Sequence, residues 1–69
     1  MPKHLKRSLT IAGHRTSLSL EPEFWEALKR YASHERKTIA ALVSEIDLAR
    51  GDKNLSSAIR VWILKRLQA

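Results

Sequence analysis

The segment HRTSLSLEPEFW, His14 to Trp25, constrains this chain more than any other. Thr16 to Leu20 alternate in the manner of a half-buried β-strand, with Thr16, Leu18 and Leu20 on one face and Arg15, Ser17 and Ser19 on the other. No second segment reads as a strand, and a lone strand leaves its amides and carbonyls without partners. The economical partner is the same strand of a second copy, related by a two-fold axis. Size argues the same way. At 69 residues with no cysteine, the chain has neither disulfides nor thiolate metal sites to reinforce a small core, so association is the expected staple.

Residues 1–13, MPKHLKRSLTIAG, show no clear period and read as a flexible basic arm ending in a glycine hinge. The expected core spans 14–51, with a strand over 15–20 and helices over 22–35 and 39–50. Pro22 suits a first helical position, and Phe24, Ala27, Leu28, Tyr31 and Ala32 form the first helix's apolar stripe. Thr38 is a good N-cap for the second, where Ile39, Leu42, Val43 and Ile46 recur at helical spacing and Gly51 ends the run. Asn54 opens a third helix over 54–68, with Leu55, Ala58, Ile59, Trp62, Ile63 and Leu67 on one face and Val61 and Leu64 outside it. No internal repeat is read. The expected fold is mainly α with one short strand per chain, an intertwined homodimer whose core comprises Leu18, Leu20, Phe24, Leu28, Leu42, Val43 and Ile46.

The net charge of +6 is concentrated at the start: residues 1–15 hold Lys3, Lys6, Arg7 and Arg15 and no acid. A basic segment beside a strand favours a polyanion, nucleic acid first. In the dimer, two copies of Arg15, Ser17 and Ser19 line one face of a ribbon that fits a major groove about 12 Å wide, where hydroxyls and guanidinium groups are suitable base-edge donors. Other chemistry has little support. His4, His14 and His34 show no ligand spacing, so no metal or other cofactor is expected. Glu45 and Asp47 lie two apart on a helix and do not face each other, and no nucleophile motif or phosphate-binding glycine loop occurs, so no catalytic residue is named. Trp25, Trp62 and Tyr31 read as packing residues. No apolar run approaches the roughly 20 residues of a membrane span, and the first fifteen hold no signal-peptide core.

The order of basic arm, alternating strand, helix, short turn and Thr-capped helix over RTSLSLEPEFWEALKRYASHERKTIAALVSEI resembles the ribbon-helix-helix family of DNA-binding repressors. With the downstream NLSSAIRVWIL, it looks like the short bacterial members that add a C-terminal helix. The resemblance implies base contacts from Arg15, Ser17 and Ser19. It also implies a phosphate held by Thr38 and the amides of Ile39 and Ala40, with Arg36, Lys37, His14, Lys3, Lys6 and Arg7 as further phosphate contacts. Where the family often has glycine in the turn, this chain has Arg36. The implied protein is a cytoplasmic, nucleoid-associated transcriptional repressor, not an enzyme, reading a short palindrome in double-stranded DNA as a homodimer. Pairing of dimers into a tetramer stays open. The alternative is a protein-interaction module, or the antitoxin of a toxin–antitoxin pair, that docks a protein partner on the C-terminal helix.

Overall fold

The computed structural model describes residues 5–69. Two strands, β1 (Leu5–Ile11) and β2 (His14–Leu20), precede three helices, α1 (Pro22–His34), α2 (Ile39–Ala49) and α3 (Leu55–Gln68). The strands form an antiparallel hairpin within the chain, in register Leu5↔Leu20, Arg7↔Leu18, Leu9↔Thr16 and Ile11↔His14. Residues 5–11, expected to belong to a flexible arm, are therefore β2's partner, and the expectation of one strand per chain gives way to two. The reason lies in Ala12 and Gly13, whose φ angles of 52° and 82° give a two-residue turn of the mirror-image type that matches strand twist.

Arg7 conceals the alternation in β1. Leu5, Leu9 and Ile11 share the helix-facing side, and Arg7 occupies the remaining position there with its guanidinium 5.5 Å from the centre of the Trp25 ring. Trp25 is 2% exposed and donates its Nε1–H to the Leu5 carbonyl at 2.9 Å. One indole thus fixes the start of β1 by both its face and its edge.

Beneath the hairpin, elements of the one chain build a shared core. Ile11, Leu18 and Leu20 from the strands meet Trp25, Leu28 and Ala32 of α1, Leu42, Val43 and Ile46 of α2, and Ala58, Ile59 and Ile63 of α3. Of the residues expected in a dimer core, Leu18, Leu20, Leu28, Leu42, Val43 and Ile46 are buried here by the chain's own elements, and Phe24 packs half-buried at the edge. α3 contributes to this packing by lying against α1, α2 and β2. Its Asn54 cap accepts from the amides of Ser56 and Ser57, and the Ser56 hydroxyl donates to the Ser19 carbonyl at 3.0 Å. Tyr31 and Trp62 meet edge to face at 5.5 Å, joining α1 to α3. Leu67 belongs to the expected apolar stripe but is 69% exposed, because its turn of α3 lines an open groove against Tyr31 and His34.

Between α1 and α2 the chain reverses through Arg36, at φ 58°. The Lys37 amide donates to the Ala32 carbonyl at 2.9 Å and the Arg36 amide to the Ser33 carbonyl at 3.1 Å, the paired bonds of a Schellman helix ending. Such an ending wants a left-handed residue, which explains the position's usual preference for glycine. Around it runs a charge network in which Lys37 meets Glu45 at 2.7 Å and Glu35 at 3.3 Å, while Arg66 meets Glu35 at 2.5 Å. The network links all three helices at one end of the molecule.

Candidate nucleic-acid interface

Strand alternation and the hairpin register together define the candidate surface. Arg15, Ser17 and Ser19 point away from the helices, and the register places Thr10, Ser8 and Lys6 directly across from them. These six residues form the outer face of the ribbon: two cations and four hydroxyls, with no acid. All are exposed except the half-buried Ser19. The structure thus brings the three expected base-contact residues onto one surface. It adds Ser8 and Thr10, which the sequence reading missed, and sets Lys6 beside the expected reading residues rather than on an arm. The available signal was Lys6, Ser8 and Thr10 alternating with Leu5, Leu9 and Ile11.

Other expected phosphate contacts divide by position. Arg7 lies on the helix side of the ribbon over Trp25, on the face opposite Arg15. His14 also belongs to the helix-facing register, beside Ile11, Thr16, Asp47, Arg50 and Leu55. Lys37 is held by Glu45 and Glu35, and the Glu45 hydrogen bond raises its pKa above the usual lysine value, so its charge is engaged within the chain. Arg36 is exposed, and its side chain makes no ion pair among the described residues. Thr38 caps α2 by accepting from the Ala41 amide at 3.0 Å. The amides of Ile39 and Ala40 lie in the first turn, where no intrahelical acceptor exists and the helix dipole favours an anion. Lys3 lies outside the described residues.

Among the described residues no group of three His, Asp or Glu side chains is placed to hold a metal ion, and no helix is long and apolar enough to cross a membrane. A two-stranded antiparallel ribbon followed by a helix pair and a further C-terminal helix is a ribbon-helix-helix class of fold with an added helix. The chain belongs to the ribbon-helix-helix family: the model of the ribbon-helix-helix domain matches residues 4–67. This family commonly binds DNA as transcription regulators, typically as dimers. No curated protein and no solved structure matches the chain.

Proposed function

We propose that this protein is a sequence-specific transcriptional repressor that lays the outer face of its ribbon in the DNA major groove. The observation that carries the reading is the acid-free face formed by Lys6, Ser8, Thr10, Arg15, Ser17 and Ser19. A two-stranded ribbon fits that groove. Arg15 supplies the main direct readout, since a bidentate guanine contact discriminates by about 1–3 kcal/mol whereas hydroxyls accept either hydrogen-bonding role. Thr38 and the first amides of α2 serve as a phosphate clamp, with Arg36 as a supplementary charge.

The test is selection from a random duplex library at physiological salt, using the wild type and a variant with Arg15, Ser17 and Ser19 all changed to alanine. A motif enriched by the wild type alone supports the reading. Enrichment of the same motif by both removes the ribbon as reader. A second reading, docking of a protein partner on α3 as in an antitoxin, draws support from Val61, Leu64 and Leu67, which are 38%, 51% and 69% exposed. It expects a protein lacking DNA selectivity but losing its partner when these residues are made polar.

A further inference from the structure

Each strand of the hairpin turns one edge away from the other strand, and the two edges differ. Ala12 and Gly13 form a two-residue turn, so the pair that closes it, Ile11↔His14, exchanges hydrogen bonds across the hairpin, as do Leu9↔Thr16 and Arg7↔Leu18. The residues between them turn their N–H and C=O groups the opposite way. Arg15, Ser17 and Ser19 therefore present backbone donors and acceptors along the outer edge of β2, and Lys6, Ser8 and Thr10 along that of β1. The Ser56 hydroxyl reaches the Ser19 carbonyl from α3 at 3.0 Å, which fits an oxygen that points off the hairpin. Among the described residues neither edge has a further strand.

Lysine on an edge strand and a charge turned inward are two devices that keep such a strand from pairing. β1 has both side by side, in Lys6 and in Arg7, whose guanidinium is seated over the Trp25 ring. β2 has neither between Thr16 and Leu20. The protected edge is that of β1, and the open one is that of β2. The family typically binds DNA as dimers, so the occupant of the open edge is a second copy of this chain. Two-fold pairing there places Arg15, Ser17 or Ser19 on the axis. Arg15 would set two guanidinium groups against each other, and Ser19 would bring the α3 starts of both copies onto the axis through Ser56. Ser17 sets Arg15 of each chain across from the partner's Ser19, cation against hydroxyl. The Ser19 carbonyl keeps a second lone pair for the amide of the partner's Arg15.

We infer that two copies pair β2 to β2 about Ser17 into a four-stranded antiparallel sheet in the order β1, β2, β2, β1, and that the flanking β1 strands grip phosphate through Lys6 while the central β2 strands read bases. The inference rests on the DNA-reading function proposed above. On the outer face of this sheet each end row runs Lys6, Ser19, the partner's Arg15 and the partner's Thr10. Strands about 4.8 Å apart put β2 about 2.4 Å and β1 about 7 Å from the axis. The walls of a groove about 12 Å wide stand about 6 Å from its centre. The two β2 strands therefore face the base edges, and β1 lies over the walls, where Lys6, Ser8 and Thr10 meet phosphate oxygens. Lysine's compact ammonium suits a phosphate, and the planar fork of Arg15 suits guanine.

Amide hydrogen exchange on the full chain at rising concentration tests the pairing without DNA. The amides of Arg15, Ser17 and Ser19 gain protection as the dimer forms, while those of Lys6, Ser8 and Thr10 stay fast. Two proline variants give an independent reading by sedimentation, with circular dichroism as the check on folding. Ser17→Pro removes the donor on the axis and gives a folded monomer, whereas Ser8→Pro, on the protected edge, stays dimeric. Protection on the β1 edge instead, or exchange at Ser17 that ignores concentration, overturns the sheet. With DNA, Lys6→Ala keeps the wild-type motif and lowers the slope of log affinity against log salt by about 1.8, roughly 0.9 for each of the dimer's two lysines. A changed motif, or an unchanged slope, overturns the phosphate role of Lys6. Protection on the β2 edge with no motif selected by the wild type overturns the DNA reading and the role of Lys6 while upholding the sheet.

Discussion

Replacing Arg36 by glycine is expected to stabilise the protein. The residue sits at φ 58° in the Schellman ending of α1, and a left-handed conformation costs an L-residue about 1–2 kcal/mol. Glycine removes that cost but returns about 0.5–1 kcal/mol through the greater freedom of the unfolded chain. The net gain is about 0.5–1 kcal/mol, or roughly 2–8 °C in melting temperature for a domain of this size. No side-chain ion pair among the described residues is lost with the arginine. Thermal unfolding followed by circular dichroism measures the shift, with Arg36→Ala as the control. Alanine removes the same charge but keeps the strained backbone, so it should give no comparable gain. A glycine variant that melts at or below the wild-type temperature, or an alanine variant that matches it, refutes the conformational argument.

The hairpin turn makes a parallel case: Ala12→Asn, which accepts positive φ more readily ahead of Gly13, should raise the urea midpoint by the equivalent of about 0.5 kcal/mol, and a lowered midpoint would count against the turn geometry. Trp25→Phe removes the hydrogen bond to the Leu5 carbonyl and should cost about 1 kcal/mol, together with faster amide exchange along β1; unchanged exchange there would mean that the indole does not anchor the strand. Glu35 titrates below the usual carboxylate range, chiefly through its hydrogen bond from Arg66 and then that from Lys37. Since the folded-state value is depressed, its contribution is full above the unfolded glutamate value and fades as pH falls through the folded one. The urea-midpoint difference between wild type and Glu35→Gln should therefore be largest near neutrality and shrink as pH falls below the unfolded glutamate value of about 4.3; a difference that grows toward acid would reverse the assignment.

Local signals made the helices readable. Pro22, Thr38 and Asn54 each stand at a helix start, and the apolar spacings of α2 and α3 point to the residues that the structure buries, Leu42, Val43, Ile46, Ala58, Ile59 and Ile63. The outward face of β2 was legible because Leu18 and Leu20 alternate with Ser17 and Ser19. β1 was hidden because Arg7 fills an apolar position by lying over an aromatic ring twenty or so residues on, a tertiary contact that no local period reveals. The Ala12-Gly13 turn also lacks the asparagine or aspartate that most strongly signals a hairpin. Trp25 was legible as a packing residue, but the acceptor for its polar edge, the Leu5 carbonyl, lies on the strand that local alternation did not reveal. Leu18 and Leu20, the residues for which a covering surface was sought, are buried by β1 and the three helices of the same chain.

The central claim, that the outer face of the ribbon meets DNA, is tested most directly by following backbone amide resonances during titration with the selected duplex. The account predicts shifts concentrated at Lys6, Ser8, Thr10, Arg15, Ser17 and Ser19, with a second group at Thr38, Ile39 and Ala40. Shifts confined to Val61, Leu64 and Leu67 of α3, with the ribbon unmoved, would contradict it.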